Sequence, residues 1–216
     1  MTVALLRKLL LYAALAGFSW LMLLITLQYI PVRRDVAFLY IKEAAAYDWY
    51  QVIFYTHVLT SMAALVAGFT QFSTRLRKRW PRVHRSVGKL YVGVVLFASG
   101  PTGLVMGVLS EGGWVAKTAF ILLAGLWLLF TAKAFQSATR KRFAEHRDWM
   151  IRSYALTLSA VTLRAWKWVI VALFAPAPMD GYRIVAWLGW LGNLVVAEWI
   201  IRRRFSTAPV RSMRND

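Results

Sequence analysis

The chain has 216 residues, of which 59% are hydrophobic and 17% charged, with a mean hydropathy of +0.52 and a net charge of +18 from 27 Lys and Arg against 9 Asp and Glu. So much apolar and so little charged surface excludes both a soluble globule and a disordered chain, and leaves a polytopic membrane protein, because lipid tolerates apolar surface without a polar coat. The absence of cysteine excludes disulfides, zinc–thiolate sites, iron–sulfur ligation and thiol catalysis together.

Runs of about 18 or more apolar residues predict an all-α bundle of six membrane-spanning helices, at Leu9–Ile30, Val52–Phe72, Leu90–Leu109, Val115–Phe135, Met150–Phe174 and Ile184–Ile201. The connections are short and no repeat stands out, so residues 1–216 read as one transmembrane domain, with 202–216 as a basic tail. Arg7 and Lys8 precede the first span as in a signal peptide, yet the apolar run is too long and Thr26–Val32 lacks a small-x-small cleavage site. A retained helix is expected there. Pro101, after Gly100, predicts a kink or break in span three. Span five carries two cations, Arg164 and Lys167, the latter between Trp166 and Trp168, and span six carries Glu198.

The cations sort by segment. Twenty lie at the N-terminus (Arg7, Lys8), between spans two and three (Arg75 to Lys89), between spans four and five (Lys133 to Arg152) and after span six, against five in the alternate segments (Arg33, Arg34, Lys42, Lys117, Arg183). Short cytoplasmic loops retain Lys and Arg, so both termini are expected in the cytoplasm and the protein in the cytoplasmic (inner) membrane. In the alternate segments Asp35, Glu43, Asp48, Glu111 and Asp180 balance the cations. The basic loops therefore orient the chain and contact anionic lipid head groups, and do not bind nucleic acid.

Three histidines fall on three different spans. His57 lies about 10 Å deep in span two, while His84 and His146 sit at the cytoplasmic entrances of spans three and five. Helical spacing aligns His57, Ser61, Ala64, Gly68 and Gln71 on one stripe; His84, Gly88, Tyr91, Val95 and Ser99 on a second; and His146, Ser153, Thr157 and Arg164 on a third, the last by eighteen residues making five turns. These small, polar stripes predict that spans two, three and five face one another.

The same residues form a pattern: Gly68-x-x-Gln71-Phe72, then Leu76-Arg77, then His84-Arg85-x-x-Gly88-x-x-Tyr91, and later Glu145-His146-Arg147-x-Trp149-Met150-x-Arg152-Ser153-Tyr154, followed by Thr162-Leu163-Arg164. Over about residues 50 to 175 it resembles the bacterial predicted membrane proteins of the domain-of-unknown-function 2306 family. The resemblance implies a membrane fold and candidate positions, but no reaction.

Three functional readings follow. In the first, His84 and His146 ligate the iron of a b-type haem from facing helices, with Gly88 leaving room and Arg85, Arg147 and Arg152 pairing with propionates. In outline this resembles six-helix two-haem cytochromes of the b561 type. The alternative for these histidines is an interfacial His-Arg pair bonded to loop carbonyls or lipid phosphate. In the second reading, a carrier or binder holds a small anionic ligand or quinone in an outer-half pocket of His57, Ser61, Gln71, Tyr91, Thr157 and Arg164, with the histidines as proton-linked groups, a cation within a span being costly unless something compensates for it. Lys167 fits snorkelling to the aromatic belt, and Glu198 an ion pair with a loop arginine or proton transfer. The third reading is a non-catalytic scaffold. No Walker loop, dinucleotide fingerprint, zincin helix or nucleophile elbow occurs, which argues against ATP-driven transport and soluble-type hydrolysis.

Overall fold

The computed structural model describes residues 3–27, 30, 44 and 47–206. Arg33, Arg34, Asp35, Lys42 and Glu43, and the tail from residue 207, lie outside them. Among the described residues the regular elements are helical: α1 (Val3–Leu27), α2 (Asp48–Gln71), α3 (Thr74–Arg79), α4 (Pro81–Val94), a π turn (Val95–Ser99), α5 (Gly100–Val108), α6 (Gly113–Thr139), α7 (Phe143–Thr157), α8 (Ser159–Phe174) and α9 (Pro178–Ser206). Helices are what a span requires, since lipid offers no partner for a free N–H or C=O.

Among the described residues, four stretches are long and apolar enough to cross a membrane: Asp48–Gln71, Pro81–Val108, Gly113–Thr139 and Pro178–Arg203; the bent pair α7–α8 makes a fifth if it is one span. The first predicted span falls on α1, a helix of 25 residues. Large apolar side chains point outward, Phe97 at 84%, Leu173 at 70% and Val195 at 69% exposed, which a protein facing lipid tolerates and one facing water does not. The centre is filled by Ala64, Leu65, Tyr91, Trp127, Tyr154 and Trp190.

Two expectations about individual spans are corrected. Span three begins at Pro81, well before Leu90, because proline at the first helical position starts a helix without losing a hydrogen bond. Pro101 neither breaks nor sharply kinks it. Proline lacks an N–H and its ring crowds the carbonyl four residues back, here that of Phe97. The chain accommodates this by widening into the π turn just before it, with the Gly100 N–H bonding the Val95 carbonyl five residues back.

Span five is broken at Leu158, where α7 and α8 meet at 43°. No glycine or proline marks the site, but Thr157, Ser159 and Thr162 offer hydroxyls that compete for backbone carbonyls. Thr162 Oγ1 donates to carbonyls around the break, including that of Gly189 on α9. Asn193 on α9 donates to the Ala155 carbonyl at 3.0 Å and to Thr162 Oγ1 at 3.0 Å, clamping the last turn of α7 to the first turn of α8. Gly189 makes the approach feasible, as a Cβ there would fall 2.9 Å from the Leu163 Cβ. The stretch from His146 to Arg164 is therefore not one straight helix.

Two short connections fix the basic end of the bundle. Ser73 caps α3 by accepting the Leu76 N–H at 3.2 Å. Lys141, at φ 59°, sits in the left-handed region that closes the turn between α6 and α7. These turns bring the start of α4 and the start of α7 to one end, beside the end of α6.

Candidate functional site

A cavity of about 950 Å³ opens at this end, within the size range of small-molecule and cofactor sites. His84 and Gly88 of α4 line it, as do His146 and Arg147 of α7 and Gln71 at the end of α2. Its apolar wall includes Phe72, Val92, Phe135 and Met150, and Arg77, Arg85 and Lys89 join Arg147 in lining it.

The two histidines differ in how their ring nitrogens are occupied. His146 Nδ1 is 2.9 Å from the Ala134 carbonyl. A carbonyl only accepts, so Nδ1 carries the proton, and in the neutral ring the lone pair is on Nε2. That is the arrangement of a metal-ligating histidine oriented by a backbone carbonyl. His84 Nδ1 is buried with no hydrogen-bond partner among the described residues, a deficit that calls for a ligand or an ordered water. The two imidazoles are close enough for the charge of one to act on the other, and Arg77 acts on His84 as well.

Gly88 does not leave open space. A Cβ there would lie 3.1 Å from Gln71 Oε1, so the Gln71 amide occupies the room that the glycine provides. Arg152 is not among the cavity lining: it makes a two-point ion pair with Glu198 on α9, Nη2 to Oε2 at 3.0 Å, and its guanidinium lies 4.7 Å from the Trp149 ring centroid. Glu198 thus makes the expected ion pair with a cation of the segment between spans four and five, Arg152, which the structure places within α7.

The remaining predicted pocket residues separate into two places. Tyr91 and Thr157 belong to a dry hydroxyl ring in the core. Tyr91 Oη is 2.8 Å from both Ser153 Oγ and Thr157 Oγ1, Thr131 Oγ1 is 2.7 Å from Ser153 Oγ and 2.7 Å from the Trp127 carbonyl, and Trp127 Nε1 donates to Thr157 Oγ1 at 3.0 Å. Each hydroxyl has one proton: Thr131 gives its own to the Trp127 carbonyl, and Thr157 Oγ1, which accepts from Trp127 Nε1, also donates to the Ser153 carbonyl at 3.1 Å. Linked bonds of this kind polarise one another. Gly68 lets Tyr91 and Tyr154 close over α2, since a Cβ there would meet Tyr154 at 2.5 Å and Tyr91 at 2.9 Å. Stripes two and three therefore meet, as their spacing predicts, and their hydroxyls are paired with one another.

His57 and Ser61 sit at the π turn. His57 Nδ1 donates to the Ser99 carbonyl at 2.8 Å, and Ser61 Oγ lies 3.5 Å from Nε2. Ser99 Oγ donates to Thr60 Oγ1 at 2.8 Å, and Thr102 Oγ1 also reaches the Ser99 carbonyl, at 3.2 Å. Gly103 admits the ring, as a Cβ there would meet His57 Cε1 at 2.8 Å. Arg164 donates Nη1 to the Ala160 carbonyl of its own helix at 2.7 Å, and its charge reaches His57. Lys167 is exposed beside Trp166 and Trp168.

Sequence reasoning missed Trp127, Thr131, Thr60, Thr102 and Asn193. Trp127 and Thr131 lie four apart on one face of α6 and were discoverable as polar atoms within an apolar run; Thr60 and Thr102 carry no such signal without the π turn.

An apolar-surfaced helical bundle with a histidine-lined cavity at its basic end defines a polytopic membrane protein with a ligand-sized internal site. The chain matches the family described as "Predicted membrane protein (DUF2306)" over residues 54–201, and it belongs to that family. No curated protein and no solved structure matches it.

Proposed function

We propose that the chain is a six-span protein of the cytoplasmic membrane, with both termini and the cavity on the cytoplasmic side, and that the cavity holds a b-type haem between His84 and His146. The observation that carries this reading is that two histidines from different helices line one 950 Å³ cavity, with the Nδ1 of His146 fixed by a carbonyl so that its Nε2 is left for a ligand.

The donor set fits the group. Two neutral imidazoles suit axial ligation, the apolar wall suits the macrocycle, and Arg77, Arg85 and Arg147 supply bidentate partners for two propionates. The haem would supply one-electron chemistry at this surface. His146 is held in one tautomer by Ala134, so its lone pair is prepared for a ligand without rearrangement. Phe72 and Phe135 give the cavity an apolar side against which a macrocycle would pack. Six spans agree with the twenty cations that alternate with balanced segments along the chain.

The test is the absorption spectrum of the protein purified from haem-replete cells. A Soret band with sharpened α and β bands on dithionite reduction is expected, lost in His84→Ala and in His146→Ala while both variants remain monodisperse. A folded, colourless wild-type preparation sinks the proposal.

A further inference from the structure

The two imidazoles of the large cavity are not equal as ligands. Both have Nε2 to offer, since the Nδ1 of His146 is taken by the Ala134 carbonyl at 2.9 Å and the Nδ1 of His84 is buried in the cavity wall. A neutral ring that gives away the lone pair of Nε2 carries its proton on Nδ1. On His146 that proton is accepted by the carbonyl, which orients the ring and raises its basicity as a ligand. On His84 it has no acceptor among the described residues, and the charge of Arg77, which acts on this ring, opposes the electron donation that ligation needs. Outer partners of this kind change the hold of a ligand on its metal by about 10- to 100-fold. His146 is therefore the strong ligand and His84 the weak one. The His84 side also carries a polar group with little to hold it. Gly88 lies one turn beyond His84 on the same face of α4, and the Gln71 amide packs there, its Oε1 3.1 Å from where a Cβ would stand. Gln71 Nε2 donates at 3.3 Å to the hydroxyl of Thr70, its neighbour in the chain, a long bond that leaves the amide able to turn to a new acceptor in the cavity it lines.

We infer that His84 is an exchangeable ligand, and that the site takes a small neutral diatomic molecule in its place, met there by the Gln71 amide. The inference rests on the haem reading and adds a binding function to it. In the exchange the coordinate bond from His84 Nε2 breaks, its electron pair stays on the imidazole, and the incoming molecule donates a pair of its own; no proton and no electron is transferred. His146 keeps its place because its Nδ1 proton stays on the Ala134 carbonyl throughout. The apolar wall of Phe72, Val92, Phe135 and Met150 admits a neutral molecule, and a donor such as the Gln71 N–H is the kind of group that decides how such a molecule is held.

The probe is carbon monoxide, added to the dithionite-reduced full chain in mild detergent. The expected result is loss of the sharpened α and β bands, a displaced Soret band and a C–O stretch in the infrared. Gln71→Leu should move that stretch to higher wavenumber, because the amide no longer donates to the bound molecule. A second measurement does not depend on Gln71: hemin and imidazole are supplied together to the two purified histidine variants, and His84→Ala should regain a six-coordinate spectrum at a roughly tenfold lower hemin concentration than His146→Ala. A coloured wild type whose reduced spectrum ignores carbon monoxide overturns the inference and leaves the haem reading standing. So does a C–O stretch that stays in place in Gln71→Leu, or a His146→Ala protein that regains its spectrum as readily as His84→Ala. A colourless wild type removes the haem reading and this inference with it.

Discussion

His57 and His84 each have a small residue four positions on, Ser61 and Gly88, but His57 lies in an apolar stretch and His84 among the cations Arg82, Arg85 and Lys89, and the structure treats them differently. His57 is locked: Nδ1 to the Ser99 carbonyl, Ser61 near Nε2, Gly103 against the ring edge. His84 stands in the wall of a large cavity with a buried nitrogen unbonded. A histidine whose hydrogen bonds are completed by its own protein is holding helices together, and one whose bonds are incomplete is waiting for a partner.

Three variants sharpen or break this contrast. The largest effect is expected from Tyr91→Phe, which interrupts the ring and leaves Thr157 and Ser153 without their common partner at complete burial; a cost of about 1–3 kcal/mol follows, read as a lower melting temperature in detergent. The cavity spectrum should be unchanged. Lost colour at unchanged stability would mean that the ring serves the ligand and not the fold. His57→Leu comes next, at about 1 kcal/mol, because the Ser99 carbonyl loses its shorter bond but keeps Thr102. If that variant is as stable as wild type but loses ligand-dependent stabilisation, the locked histidine is functional after all. Glu198→Gln should cost least. The side chains of the pair are 21% and 39% exposed, so solvent and salt screen it, and a loss of at most about 1 kcal/mol, diminishing in high salt, is expected. A larger, salt-independent loss would indicate that Arg152 is desolvated on unpairing.

The helices and their polar faces were legible in the sequence because lipid removes ambiguity: a long apolar run has one way to satisfy its backbone, and a stripe of small or polar residues on it has one reason to exist. Hence spacing predicts that the stripes of Tyr91, of Ser153 and Thr157 and of the two inner histidines face one another, while the particular contacts are read from the structure. What spacing does not carry is any interruption of the helical phase. The bend at Leu158 coincides with hydroxyls and with Asn193 from a distant helix, which spacing along one helix does not announce. Pro101 did announce a disturbance, but the structure relieves it up to six residues earlier, at a stretch with no glycine or proline of its own. The division of the predicted outer pocket into a locked histidine, a hydroxyl ring and a glutamine at the other end of α2 was likewise invisible, since burial and partner choice are properties of several helices at once.

The π turn also makes α5 dependent on a count. It works as one surplus residue inside a span, and every position after it is rotated by about 100° relative to an uninterrupted helix. Deleting a single residue between Val95 and Ser99 would restore an even helix and swing Ser99, Thr102 and Gly103 away from His57, breaking three contacts without altering any of the residues that make them. For α5, chain length between Val95 and Gly103 is as strict a requirement as residue identity, and a relative with a one-residue gap there would be expected to differ at position 57 as well.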